Sequence, residues 1–138
     1  MHTALPLATP RYALILLALL ILFIPLPAWS GIQSQEIPMQ HHAGYFREKC
    51  LQLNVAQQIH YSVKTSHTVE FNIHHHSETD TFYPVKHQLR EFTEDTLDVG
   101  ADGEYCFMWT NISDAGIDYT IILEYEVLDR KKLTLNSY

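Results

Sequence analysis

The histidines are the residues of this sequence that could take part in the most kinds of chemistry. The chain of 138 residues has nine. On a strand, His74 and His76 would share one face, with their side chains about 7 Å apart. If residues 59–65 and 69–76 form a hairpin, His60 lies opposite His74. We therefore predict a candidate Zn²⁺ or Cu²⁺ site with His60, His74 and His76 as its ligands.

The same histidines have two interpretations without a metal. They can be solvated side chains on an acidic surface, because no C-x-x-C, H-x-x-x-H or H-E-x-x-H pattern accompanies them. They can also sense acid. After residue 30 the chain has eight Lys and Arg against sixteen Asp and Glu, a formal charge of 8 − 16 = −8. Protonation of the histidines in this part would bring the charge to about zero as the pH falls through roughly 6.5. These histidines are His41, His42, His60, His67, His74, His75, His76 and His87.

Residues 1–30 have the pattern of a secretory signal peptide. Arg11 precedes an apolar stretch from Ala13 to Ile24, and Ala28-Trp29-Ser30 supplies small residues before a cleavage point at Gly31. Export to the periplasm of a bacterium, or to the secretory-pathway lumen of a eukaryote, is expected. The alternative is an uncleaved anchor, because about 18 residues begin to suffice for a membrane span. Membrane contact is expected only in that case.

Export determines how the two cysteines are interpreted. Cys50 and Cys106 are the only cysteines, and an oxidising compartment favours a disulfide between them. Closing a loop of this length would stabilise the fold by about 4 kcal/mol. The competing interpretation is a catalytic thiol with a histidine partner, but neither flank has a nucleophile signature. The sequence also has no nucleophile elbow and no Gly-rich phosphate loop, so we predict that the protein is not an enzyme.

Alternating apolar and polar residues predict short strands. Weaker strands are expected at 82–86, 88–92 and 96–99. Roughly seven to eight strands with turns between them predict an all-β fold, an antiparallel, jelly-roll-like β-sandwich over residues 46–130. Residues 31–45 are predicted to be a flexible N-terminal arm, and residues 131–138 a C-terminal tail. The clearest alternating sets are Ile59, Tyr61 and Val63; Val69, Phe71 and Ile73; Tyr105, Phe107 and Trp109; and Tyr119, Ile121, Leu123, Tyr125 and Val127.

Two smaller features concern the end of this pattern. Trp109 shares an apolar face with Tyr105 and Phe107, so it is expected in the core. Asn111-Ile112-Ser113 fits the N-glycosylation sequon, which matters only in a eukaryote. The acidic balance of the chain argues against a nucleic acid as partner, because a phosphate backbone requires cationic patches.

The order of these features resembles a known family. Cys50 precedes the alternating sets, Gly103-Glu104-Tyr105-Cys106 and then Asn111 follow them, and a long apolar strand ends near Leu128. In this the chain resembles the GOLD domain, the lumenal β-sandwich of the p24 (emp24) cargo-trafficking proteins. In that family a Gly-x-Tyr segment leads to a cysteine that pairs with the entry cysteine. Here Cys106 directly follows Tyr105, whereas the family usually places it two residues later.

The resemblance implies a fold and a tendency to bind proteins or lipids. The p24 proteins continue into a coiled coil, a membrane helix and a cytosolic tail. Residues 131–138 are too few for any of these parts, so a soluble form without them is expected here. We predict an exported, non-catalytic binding module that recognises a protein, lipid or glycan partner. The alternative is a small extracytoplasmic protein that binds Zn²⁺ or Cu²⁺ through histidines. No cofactor is expected besides that metal.

Overall fold

The computed structural model describes residues 31–114 and 116–131. The predicted signal peptide and the predicted tail beyond Lys131 lie outside these residues. No helix within the described part is long and apolar enough to cross a membrane. Six strands form one antiparallel sheet: β1 (Gln33–Met39), β2 (Phe46–Leu53), β3 (Gln57–His76), β4 (Thr81–Asp98), β5 (Gly103–Asn111) and β6 (Tyr119–Asp129).

The long strand β3 organises the sheet. One of its edges pairs with β4 along most of its length. Its other edge pairs first with β6, through Gln57–Lys64, and then with β5, through Val69–His75. Because β1 adds to β6 and β2 adds to β5, the sheet has two arms that share β3 and β4. The β3–β4 register shifts between Lys64 and Val69, and a bulge of this kind bends a strand, so the sheet curls.

The two arms bury a common core. Tyr61, on the first half of β3, contacts Phe107 of β5 in an edge-to-face arrangement with ring centroids 5.3 Å apart. Phe71 stacks on Trp109 at 5.8 Å. Trp109 is completely buried, which confirms its predicted place in the core. The alternating sets of the sequence supply this core because successive side chains of a strand point to opposite faces.

The class of fold is confirmed, but the predicted hairpin at 59–76 is wrong. Residues 57–76 form one strand. The segment Thr65-Ser66-His67-Thr68 lacks the Gly, Asn or Asp that a tight hairpin turn requires, and the bulge changes the register without reversing the chain. The three weaker predicted strands also merge into β4, so the described residues have six strands. The predicted division into two sheets is not confirmed, since the strands belong to one hydrogen-bonded sheet.

The predicted flexible arm is also corrected. Residues 33–39 of that segment form β1 and pair with β6. Ile37 and Met39 point into the core and are buried. Their spacing is that of a strand, but the proline between them argues against a strand when the sequence is taken alone. Beyond the strand, the backbone N–H and the Nδ1 of His41 lie 3.1 Å and 2.7 Å from Asp118 Oδ1. These hydrogen bonds lower the pKa of Asp118.

Candidate functional site

The end of the β3–β4 hairpin brings together more ring side chains than the sequence suggests. A short turn joins the strands, with the Ser77 N–H donating to Asp80 O at 2.9 Å. Strand β3 ends with His74, His75 and His76. Strand β4 begins with Thr81, which Phe82 and Tyr83 follow. Because neighbouring residues of a strand alternate between faces, the hairpin presents rings on both sides. We call the side with His75, Phe82 and Tyr105 the aromatic pocket. The other side is the histidine cluster, with His74, His76, Tyr83 and His87.

The aromatic pocket is built on a stack of three rings. His75 lies almost parallel to Tyr105, with ring centroids 4.7 Å apart and 14° between the planes. Phe82 stacks on the same histidine at 6.5 Å. The His75 Nδ1–H donates to Glu104 O at 3.1 Å, and the Tyr105 hydroxyl donates to Ala101 O at 3.0 Å. The backbone therefore fixes the two inner rings.

The outer ring of the stack is exposed to solvent. Phe82 is 54% exposed and borders a cavity of about 400 Å³ that Pro84, Gly100 and Ala101 also line. This volume lies within the range of roughly 300–1,000 Å³ that is usual for binding sites. Asp98 is the acidic residue in the lining. Its Oδ1 lies 3.6 Å from Arg130 Nε, so this carboxylate is paired with a cation. The pocket can therefore hold an apolar group beside an ion pair.

Gly103 allows the stack to form. Its φ is +148°, and a Cβ at this position would lie 2.4 Å from His75 Cε1. A side chain at residue 103 would therefore displace the histidine ring. The glycine of the Gly-x-Tyr segment thus has a physical role here, because it leaves room for the ring that Tyr105 stacks against.

The histidine cluster lies on the opposite face of the hairpin. The rings of His74 and His76 are 4.8 Å apart and almost perpendicular, so the sequence correctly placed this pair on one face. Tyr83 lies between His74, at 5.8 Å, and His87, at 5.0 Å. The Nδ1 of His87 is 2.7 Å from Glu70 Oε1.

His74 is the buried member of the cluster. Its Nδ1–H donates to Asn72 Oδ1 at 3.0 Å, and its Nε2 faces Glu48 Oε1 at 3.7 Å. Burial lowers the pKa of His74; Glu48 opposes this shift, and the nearby His76 and His87 add to it. The ring is therefore held mostly neutral at pH 7. Glu48 did not stand out in the sequence, because β2 and β3 come together only through β5. Asn72 lies two residues before His74 on β3, so the period of two could have placed it beside that ring.

His60 does not join the other two predicted ligands. Its Nδ1 lies 3.1 Å from Thr96 Oγ1, and its Nε2 lies 3.5 Å from Glu94 Oε1. It belongs to the half of β3 that pairs with β6, whereas His74 and His76 belong to the half that pairs with β5. The predicted trio depended on the hairpin at 59–76, and without that hairpin His60 lies at a different site.

Cys50 and Cys106 form a disulfide, as predicted. They lie directly opposite each other on β2 and β5, and Cys106 is also the register partner of His74. The disulfide therefore lies beside the histidine cluster. Its sulfurs are not thiolates, which removes them as metal ligands and as nucleophiles.

Asn111 is structural in this fold. Its side chain is buried, at 1% exposure, and its Nδ2 donates to Gln40 O at 3.2 Å and to His42 O at 3.0 Å. A glycan requires this same nitrogen on the surface. The sequon at residue 111 is therefore inaccessible in the folded protein.

No model of a known protein family matches this sequence, and no curated protein matches it either. Solved structures do resemble the fold. Aeromonas hydrophila PliG, a periplasmic lysozyme inhibitor of g-type lysozyme, aligns with a TM-score of 0.51 at 9% identity, over 76% of this chain and 93% of that chain. Salmonella Typhimurium PliG aligns with a TM-score of 0.49 at 11% identity, over 76% and 95%.

A protein of Sulfurospirillum deleyianum aligns with a TM-score of 0.45 at 10% identity, over 70% of this chain and 98% of that chain. At such identities the likeness to the Aeromonas protein shows a shared fold and nothing more. The resemblance to the GOLD domain stays a prediction.

Proposed function

We propose that this chain is exported and acts as a non-catalytic module that binds a protein partner through the aromatic pocket. The observation that carries the proposal is the exposed Phe82 ring, stacked over an immobilised His75–Tyr105 pair at the edge of an open cavity. A partly exposed aromatic side chain on a rigid base loses little entropy on binding. Such residues commonly dominate the binding energy of protein interfaces.

The charge around the pocket defines the partner's chemistry. Asp98 lines the cavity and is paired with Arg130 at 3.6 Å. The hairpin turn beside it adds two exposed acids, Glu78 and Asp80. The formal charge of the whole chain is −7. A protein that inserts an apolar side chain from a cationic surface fits this site. An anionic lipid surface does not, because it would be repelled.

The description of a protein with the same fold is consistent with the proposal. The Aeromonas hydrophila protein is described as a periplasmic inhibitor of a lysozyme, that is, as a binder of another protein. The signal-peptide pattern of residues 1–30 agrees with an extracytoplasmic location. The disulfide agrees with it too, since disulfides persist in oxidising compartments.

Binding of a purified g-type lysozyme and, separately, of a cationic protein, measured by calorimetry, tests the proposal. We expect binding that weakens as salt is raised, because the attraction of exposed charges is screened. Phe82→Ala should weaken it at least about tenfold, as expected for an interface hot spot. Asp98→Asn should reduce the dependence on salt.

Phe92 provides the matched control. It is a second phenylalanine on β4, exposed to a similar degree at 57%, and it lies outside the pocket. Phe92→Ala should bind like the unmodified protein. Equal losses in both variants would overturn the pocket as the binding site. Binding of a soluble glycan instead of either protein would overturn the protein partner.

A further inference from the structure

We propose that two copies of this chain pair through the free edge of β4, in an antiparallel arrangement with two-fold symmetry. One edge of β4 pairs with β3, and no described strand pairs with its other edge. A long sheet edge presents backbone N–H and C=O groups that a second strand can meet. This pairing does not depend on the protein partner proposed for the aromatic pocket.

The part of the edge that can pair is the longer, second part of β4. Pro84 has no N–H to donate, and the register with β3 shifts between Val85 and Gln88, so the start of the edge is interrupted. Where the sheet bends, residues 65–68 of β3 lie against Glu91 alone. The extra residues belong to β3 there, so β4 continues without an insertion to its end.

The charges of β4 change sign along the strand. Up to residue 90 it carries Lys86 and Arg90 and no acid. After residue 90 it carries no Lys or Arg and has acids at Glu91, Glu94, Asp95 and Asp98. A two-fold axis near residue 91 therefore places the cationic half of each copy beside the acidic half of the other. A parallel pair would place like charges side by side, which is unfavourable.

Most of these charges lack an opposite charge within their own chain. Among the described residues, no carboxylate lies within 4.0 Å of Lys86 or Arg90. Of the acids on β4, Asp98 alone has a described Lys or Arg within that distance, Arg130 at 3.6 Å. A second copy in the antiparallel arrangement supplies the opposite charges that one chain does not.

Apolar side chains near the axis add to the contact. Phe92 is 57% exposed and Leu89 is 55% exposed, and both lie within two residues of Glu91. Ion pairs between exposed side chains contribute little to affinity. Burial of these apolar groups and the new backbone hydrogen bonds therefore supply the affinity, while the charges determine which way the two strands run.

Sedimentation equilibrium with charge-reversal variants tests this pairing. We expect the disulfide-bonded protein without its predicted signal peptide to dimerise with a Kd below about 100 μM, as for a weak, transient interface. Lys86→Glu with Arg90→Glu makes the edge acidic throughout. The triple variant Glu91→Lys, Glu94→Lys and Asp95→Lys makes it mainly cationic. All five residues are exposed, so both variants should retain the fold. Each alone should dimerise at least about tenfold more weakly, because like charges then meet.

An equimolar mixture of the two variants gives the sharpest result. The acidic edge of one variant then meets the cationic edge of the other, so the mixture should dimerise about as tightly as the unmodified protein. Added salt should weaken this mixed dimer, because the attraction of exposed charges is screened. Recovery in the mixture would also show that both variants are folded. A mixture that stays monomeric would overturn the antiparallel pairing.

Arg47→Glu with Lys131→Glu is the matched control. It changes the net charge by the same amount as the substitutions at Lys86 and Arg90, and both of its residues are exposed and lie outside β4. Its dimer should be as tight as that of the unmodified protein. An equal loss in this control would overturn the pairing, since net charge alone would then govern association. An unmodified protein that is monomeric at about 1 mM, ten times the expected limit of the Kd, would overturn the second copy as the occupant of this edge.

Discussion

Gly103 shows how one residue can decide the geometry of a binding surface. The residue has a positive φ, and its missing side chain leaves the space that the His75 ring occupies. Conformations with a positive φ favour glycine, because any other residue would place its Cβ against the backbone. The steric reason is added to the conformational one at this position. The pocket therefore depends on a residue that does not line it.

Gly103→Ala should destabilise the fold by about 1–3 kcal/mol, through strain and overpacking against His75. Urea unfolding measures this. Gly100→Ala is the control, because a Cβ there meets nothing within 4 Å and the backbone is not left-handed. It should change the free energy of unfolding by less than about 0.5 kcal/mol. Equal effects of the two substitutions would contradict the assigned role of Gly103.

Asn111 makes a comparable contribution at the other end of β5. Its amide hydrogens satisfy the carbonyls of Gln40 and His42, which belong to the segment after β1. Asn111→Ala leaves two carbonyls without this donor, so we expect a loss of roughly 2–4 kcal/mol in urea unfolding. Ser113→Ala, which removes the sequon at an exposed residue, should cost almost nothing. A loss below about 1 kcal/mol for Asn111→Ala would contradict the structural role.

At the scale of elements, much of the fold could be predicted from period-two alternation. The core positions of Tyr61, Phe71 and Trp109 follow from it. The connection between strands could not be predicted in the same way. The polar side chains of residues 65–68 are compatible with a looser loop as well as with an extended bulge. The pairing of β3 with two different neighbours accompanies the bulge, and alternation alone does not reveal that pairing.

The candidate site illustrates the same limit. Two residues apart on one strand, His74 and His76 could be paired from sequence. Glu48 could not be added, because its proximity depends on β5 lying between β2 and β3. Phe82 was recognisable only as part of a weak strand, and the short turn Ser77–Asp80 is the one signal that could have placed it opposite His75.

The disulfide links the outer strand of one arm to the interior of the sheet. It joins β2 to β5 across a sequence separation of 56 residues, and β2 is an edge strand that pairs with β5. The double substitution Cys50→Ala and Cys106→Ala should lower the free energy of unfolding by about 4 kcal/mol, because the unfolded chain gains the entropy of the open loop.

Urea unfolding with and without a reductant measures this effect. The reductant should destabilise the unmodified protein by a similar amount and leave the double variant unchanged. A reductant effect below about 1 kcal/mol would contradict the predicted contribution of the disulfide to stability.

At the scale of the whole molecule, the two arms act as one unit because they share β3 and the rings that meet beneath it. Tyr61 comes from the half of β3 that pairs with β6, and it contacts Phe71 and Phe107 of the other arm. The two candidate sites lie at the far end of the same strand. Their geometry therefore depends on this shared core, and the ionisation of Tyr61 reports on it.

Burial, with a smaller contribution from Asp95, raises the pKa of Tyr61 from 10.0 to about 12. Between these values the folded protein keeps a proton that the unfolded chain loses. The contribution of Tyr61 to stability is therefore complete below pH 10 and is lost as the pH rises through about 12. Over this interval the shift corresponds to about 2–3 kcal/mol.

Urea unfolding at pH 9 and pH 11.5 should show this loss in the unmodified protein and a smaller loss in Tyr61→Phe, which has no hydroxyl to ionise. Tyr125→Phe is the control, since Tyr125 is the register partner of Tyr61 on β6 and its removal leaves the Tyr61 hydroxyl in place. Its alkaline loss should equal that of the unmodified protein. If Tyr61→Phe lost as much stability as Tyr125→Phe between the two pH values, the Tyr61 hydroxyl would not be in the buried environment described here, and the contact between the arms would be overturned with it.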